Sequence, residues 1–577
     1  MTLRGHRGAR REGWLSAMER LVVDRREVLK LGGLGALAAA GLVVPIGVRA
    51  GAGSASTLAS AIMPRPYRRD FLRPPVLQPY EVVKDAQGRP VLERYSLTAR
   101  QFEAGIVGGG LPTTMWGYNG MVPGPTISVH QNVRVEMRVR NDLPAVDTTF
   151  GQPSLTSTHL HGSASLPQFD GYASDVTQTG FYKTYEYPDF QGARTLWYHD
   201  HAVHHTAVNA YSGLAAQYHL HDDLEERMLP QGQFDVPLTI SDAMFAADGS
   251  LAYDDKGVKS LWGDVILVNG VPWPVMKVKP RIYRFRILVA SISRSYRLRL
   301  STGHTMTVVA TDGGMVPVPQ PVTQFRASSG ERYEVLVDFS KYPVGATVDL
   351  LNASNPNNVN YDHTNKVMRF QVVAPSSDDP PPYAIPADWR IEGEGKATMD
   401  LQRTGKERVT RLRLKHDDVT NVWSINGVTW DDVVASGYTK IAANPRIDEV
   451  QLWELENSSG GWFHPVHIHL VDFKIVGRNT NGGQPHPWER GPKDVVYLGE
   501  GETVRLLAKF HVSDDTTGGR YMIHCHNLVH EDHDMMTQFL VGDPDFTNDP
   551  HPIYAAPPVK DDLPEDSPTY LEYPPGV

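Results

Sequence analysis

Asn-Gly occurs at Asn119-Gly120, Asn269-Gly270 and Asn426-Gly427, positions spaced by 150 and 157 residues. Asn-Gly is the dipeptide of the two-residue hairpin turn, because both central positions of that turn require positive φ. Each is followed by an alternating, β-branched stretch: Thr126 to Val139, Val275 to Val289 and Ile447 to Leu455. Alternation with period two belongs to a strand that buries one face. A common turn dipeptide can recur by chance, but the shared pattern downstream favours a repeat. The simplest reading is three copies of one β domain, and therefore an all-β chain of three sandwiches in series. No long amphipathic helix competes with it after the first sixty residues. The stretch 374–386 (APSSDDPPPYAIP) cannot continue a sheet and marks a linker, and from His221 to Gln233 the pattern turns charged. These signals divide the chain into 61–225, 226–378 and 379–577.

Residues 1–60 stand apart. Arg25-Arg26 precedes an apolar run rich in Leu, Ala, Gly and Val from Leu31 to Val48, the layout of a signal peptide of twin-arginine type. Asp24 and Val28 occupy positions where that signal usually has Ser or Thr and Phe. The expectation is export by the twin-arginine machinery to the periplasm, cell wall or medium, with no stable membrane insertion after cleavage between Ala50 and Ala61. That route carries folded proteins, often with a metal or redox group in place. Beyond residue 62 there are 47 basic and 62 acidic residues, a charge of −15, so no basic field exists for nucleic acid. The single cysteine, Cys525, excludes an internal disulfide.

Ten of the 23 histidines fall in four short clusters: His159 with His161, His199 with His201, His464 with His467 and His469, and His524 with His526 and His530. Residues two apart on a strand share a face, so each His-x-His presents two imidazoles side by side. One such pair is weak evidence of a site. Four pairs, two early and two late, predict a metal cluster shared by the first and third domains. In His524-Cys525-His526 the alternation sends the imidazoles to one face and the thiolate to the other, so neighbours serve two sites. Cys525 then has His464, His530 and Met535 as co-ligands, with Met536 the next candidate for the thioether. Two imidazoles, a thiolate and a weak thioether are the blue-copper set, and zinc has no use for the thioether. The remaining eight imidazoles suffice for three more copper ions with positions open to dioxygen.

In this order the four clusters resemble those of the multicopper oxidases, and the stretches 462–477 and 524–536 are especially similar to bilirubin oxidases and bacterial spore-coat laccases. The resemblance covers essentially the whole mature chain. It implies three cupredoxin-like Greek-key domains and four copper ions: one type 1, one type 2 and two type 3. By the same resemblance type 1 corresponds to His464, Cys525, His530 and Met535, and type 2 to His159 and His467. One type 3 ion corresponds to His161, His199 and His526, the other to His201, His469 and His524. No ligand position departs from the family pattern. The implied activity is one-electron oxidation of a phenol, aminophenol or tetrapyrrole, coupled to reduction of dioxygen to water. Electrons would enter through an exposed edge of His464 or His530. The alternatives are an oxidase of Cu(I), Fe(II) or Mn(II), and a non-enzymatic exported copper-binding protein. The 16 methionines form no Met-rich segment, which argues against the Cu(I) version alone.

Reduction of dioxygen to two waters consumes four protons, so acids are expected nearby. Asp170 and Glu531 stand where the similar proteins have them. Asp170 can also be read as a turn residue before Gly171, and Glu531 as a hydrogen-bond partner of a ligand imidazole. Trp462 either borders the type 1 site or is an ordinary core tryptophan. His204, His205, His219, His221 and His533 break the His-x-His pattern and are read as surroundings or surface.

Overall fold

The structure is a computed structural model, and it describes residues 55–146, 153–257, 259–377, 379–512, 518–543, 557–564 and 567–571. The twin-arginine pair and the apolar run after it lie outside the described residues. Three pairs of sheets follow one another along the chain: six strands against four, seven against five, and five against four. Each pair encloses its own apolar core. The longest described helix, Gly393–Asp400, has eight residues. Among the described residues no helix is long and apolar enough to cross a membrane.

The repeat is visible atom by atom. Asn119, Asn269 and Asn426 have φ of 57°, 49° and 55°, each followed by a glycine of positive φ. The side-chain oxygens of these asparagines accept from the backbone N–H of Thr98, Thr239 and Arg413 at 2.9, 2.8 and 2.8 Å. In each copy that partner strand also runs parallel to a later one: Pro90–Ala104 with Arg134–Asp142, Asp235–Ala243 with Ile282–Val289, and Arg408–Asp417 with Val450–Asn457. A parallel neighbour requires the chain to cross to the opposite sheet and return, which gives the sandwich its Greek-key character.

The alternating stretches are not single strands. Ile127–His130 and Arg134–Asp142 belong to opposite sheets, as do Val275–Val278 and Ile282–Val289. Turns at Asn132, with φ 66°, and at Pro280 carry the chain across, and the alternation continues through them because both strands face one core. In the third copy only the second half is a strand. The segment just before the stretch lies along Met536–Gly542, where Leu540 N donates to Ala443 O at 3.0 Å.

Candidate metal centres

Strand register assembles the histidines. Thr158–His161 pairs antiparallel with Arg194–Asp200 so that His159 faces His199, and His201 follows directly. In the third sandwich His464–Ile468 pairs with Gly518–Cys525, setting His467 opposite His524 and Val466 opposite Cys525. All eleven of these histidines and cysteine, and Met535, are at most 1% exposed. The first and third sandwiches bring eight imidazoles into one buried volume, with ring centroids 3.7 Å apart for His161 and His467, 4.1 Å for His159 and His469, and 5.0 Å for His161 and His526. On the other side of its strand, Cys525 Sγ lies 3.3 Å from His464 Nδ1 and 3.6 Å from His530 Nδ1.

The nitrogen atoms test whether metal ions fit. His159 Nδ1 donates to Asp170 O at 2.5 Å, His199 Nδ1 to Asp200 O at 2.8 Å, and His467 Nδ1 to Asp494 O at 2.9 Å. His526 Nδ1 lies 3.1 Å from Ser329 Oγ. In all four rings the opposite nitrogen, Nε2, is buried and has no partner. His469 Nδ1 donates to Asp170 Oδ2 at 2.8 Å, and His524 Nδ1 lies 2.8 Å from Glu531 Oε2, so both Nε2 atoms carry lone pairs, yet they are 3.2 Å apart. Facing lone pairs at that distance repel unless a cation lies between them. Burial holds His161, His199, His467, His469 and His526 well below the usual imidazole range, and His201 at about 3. Neutral imidazoles with outer nitrogens satisfied and inner ones bare are suited to binding metal ions.

At the cysteine centre the polarity is reversed. Ser459 Oγ lies 2.8 Å from His464 Nε2, which turns Nδ1 toward the thiol. Burial pushes the Cys525 thiol well up, so it is a neutral thiol unless a metal ion draws off its proton. Met535 belongs to the same buried cluster as Cys525, whereas Met536 packs with Tyr172, Trp430 and Met522 elsewhere.

The two carboxyls are pushed in opposite directions. Burial raises Asp170 despite its contact with His159, while Glu531, raised by burial, is brought down to about 2 by His524 and His201 beside it. Asp170 does form a turn with its backbone, yet its side chain is 2% exposed and bonded to His469.

Electron entry at an exposed imidazole edge is not what the structure contains. His464 and His530 are both 0% exposed, because Trp423 stacks on His530 at 3.7 Å and 19° and Trp462 meets it edge-on at 5.6 Å. Trp462 is the partly exposed ring of this group. Sequence reasoning missed Trp423, Ser459 and Asp494; Trp423 alone carried a signal, standing in the hairpin strand before the third Asn-Gly. His204 and His219 bond to Asp532 O and Gln217 and join neither centre.

A polynuclear imidazole site beside a cysteine site, on three sandwiches in series, defines a multicopper protein. Three multicopper oxidase family models match residues 103–224, 197–366 and 403–545. Bilirubin oxidase of Albifimbria verrucaria is 39% identical over 482 residues, covering 81% of this chain and 79% of that protein. Laccase of Bacillus subtilis (strain 168) is 33% identical over 75% of this chain and 91% of its own length. The crystal structure of the McoA multicopper oxidase from Aquifex aeolicus matches with TM-score 0.70 and 27% identity, covering 83% of this chain and all of that one. The chain belongs to the multicopper oxidase family and is a copper-dependent oxidoreductase that uses dioxygen.

Proposed function

We propose that this oxidase is of laccase or bilirubin oxidase type, holds four copper ions, and oxidises a phenol, aminophenol or tetrapyrrole. The observation that carries this reading is the set of twelve buried donors, among which His159, His199, His467 and His526 have their outer nitrogens bonded to protein and their inner ones bare. His464, Cys525, His530 and Met535 would hold type 1; His159 and His467 type 2; and His161, His199, His526 with His201, His469, His524 the type 3 pair. The bound ions would supply one-electron uptake from substrate and the four-electron reduction of dioxygen to water. The protein's part is arrangement. Cys525 stands between His524 and His526, so a covalent path of two residues joins the two centres. Trp462, partly exposed and packed edge-on against His530, is the surface at which a planar aromatic substrate can approach. Asp170, raised by burial, suits an acid that gives up a proton, and Glu531 one that orients His524. The basic pair and apolar run in residues 1–60 support twin-arginine export.

Copper analysis with dioxygen uptake on phenols, bilirubin, Fe(II), Cu(I) and Mn(II) tests the proposal. Four copper ions per chain and turnover of the organic substrates are expected. Turnover of metal ions alone would replace the substrate class.

Met535→Gln exchanges a weak thioether for a stronger oxygen donor and should lower the type 1 potential, since oxygen favours Cu(II). Redox titration measures it, and an unchanged potential would make Met535 a core residue only.

A further inference from the structure

The second sandwich supplies none of the twelve candidate ligands, yet its loop 328–332 touches the imidazole cluster. Besides Ser329 Oγ, 3.1 Å from His526 Nδ1, the loop presents Gly330, whose φ is +83°. A Cβ there would lie 2.8 Å from His526 Cδ2, so the ring rests directly on the backbone. Two residues on, Arg332 is 0% exposed and uses all five of its donors. Nε donates to Thr195 O at 2.9 Å, in the first sandwich. Nη1 donates to Gly330 O at 2.9 Å and to Asp494 Oδ1 at 2.7 Å. Nη2 donates to Asp312 O at 3.2 Å and to Asp494 Oδ2. Gly162, directly after His161, makes room for this pair, since a Cβ there would come within 2.6 Å of Arg332 Nη2 and 2.7 Å of Asp494 Oδ2.

Asp494 in turn holds one ring from each flanking sandwich. Its carboxylate accepts from His161 Nε2 at 3.1 Å, and its carbonyl accepts from His467 Nδ1 at 2.9 Å. That bond leaves Nδ1 as the bare nitrogen of His161, opposite to the choice made in His159, His199, His467 and His526. The tautomer of His161 therefore depends on where the Asp494 carboxylate is held.

We propose that Arg332 is a positioning residue of the trinuclear site. By gripping Asp494 bidentately it fixes the orientation of His161 and His467, and Ser329 does the same for His526. The inference rests on the four-copper reading above. Lysine offers one point charge and cannot span two carboxylate oxygens and three carbonyls in a plane.

The test uses the full-length, copper-loaded protein. Arg332→Lys should release type 2 copper roughly 10–100-fold more readily to a chelator. Its type 2 electron paramagnetic resonance signal should be lost or changed in hyperfine coupling, while the blue absorption stays. Arg284→Lys is the control: Arg284 is equally buried in the second sandwich but pairs with Glu225, Asp235 and Glu334, away from the cluster. It should lower Tm and leave the type 2 signal alone. If both variants lower Tm and neither alters that signal, Arg332 is structural and the proposal fails. Should Arg332→Lys not fold, Ser329→Ala decides, because it removes one hydroxyl. An altered type 3 near-ultraviolet band with normal blue absorption supports the proposal, and a wild-type spectrum overturns it. A wild-type protein with no type 2 signal would instead overturn the four-copper reading.

Discussion

Cys525→Ser is expected to abolish the blue colour and all oxidation of reducing substrates, while most of the copper stays bound. The serine hydroxyl nearly matches the thiol in size, so the site keeps its shape. It cannot supply the thiolate on which the colour and the low-barrier exchange of electrons with a blue copper depend. His524 and His526 face the other side of the strand, toward the neighbouring imidazole cluster, which is untouched, so on the proposed four-copper reading copper content should fall by about one ion. Burying a hydroxyl in this apolar core, where Asn527 N is the backbone donor 3.4 Å from the sulfur, costs on the order of 1–3 kcal/mol if it is poorly bonded. Tm must therefore be measured alongside, to separate inactivity from unfolding. Metal analysis, visible absorption and dioxygen uptake on one preparation check the result. A variant that stays blue would remove Cys525 from the centre.

How much of this was legible beforehand follows from the range of each interaction. The His-x-His pairs and the Asn-Gly turns are local: two imidazoles share a strand face because they are two residues apart, and an asparagine at positive φ is set by its neighbour glycine. Both features read correctly from the sequence. The crossings at Asn132 and Pro280 did not, because two strands facing one core continue each other's alternation. Nor could the sealing of His530, since Trp423 is 107 residues away and reaches it only after the third sandwich closes. Arg332 and Asp494 were invisible for a further reason. A buried arginine in an alternating stretch looks like an outward-facing strand residue, and its charge acquires meaning only from carbonyls and a carboxylate on three different sandwiches.

Asp170→Asn should separate proton delivery from architecture. The backbone carbonyl of Asp170 holds His159 and its side chain holds His469, so the residue stands between the candidate type 2 and type 3 ligands. Asparagine keeps the carbonyl and still offers an oxygen to His469 Nδ1, so both rings should hold their tautomers. What it removes is the proton that burial encourages Asp170 to carry. Copper content and blue absorption should survive, and anaerobic reduction of the blue centre by substrate should keep its rate. Reoxidation of the fully reduced protein by dioxygen should slow by about 10²-fold or more, the contribution of a positioned acid. A residue needed only for its turn predicts the opposite pattern. Reoxidation would then stay near wild type, and any loss would appear in Tm, because the turn at Asp170 and Gly171 packs against the strand that carries His159. Stopped-flow reoxidation of the two proteins chooses between them, and a fully coppered variant that reoxidises at the wild-type rate would leave Asp170 as a holder of His159 and His469 and nothing more.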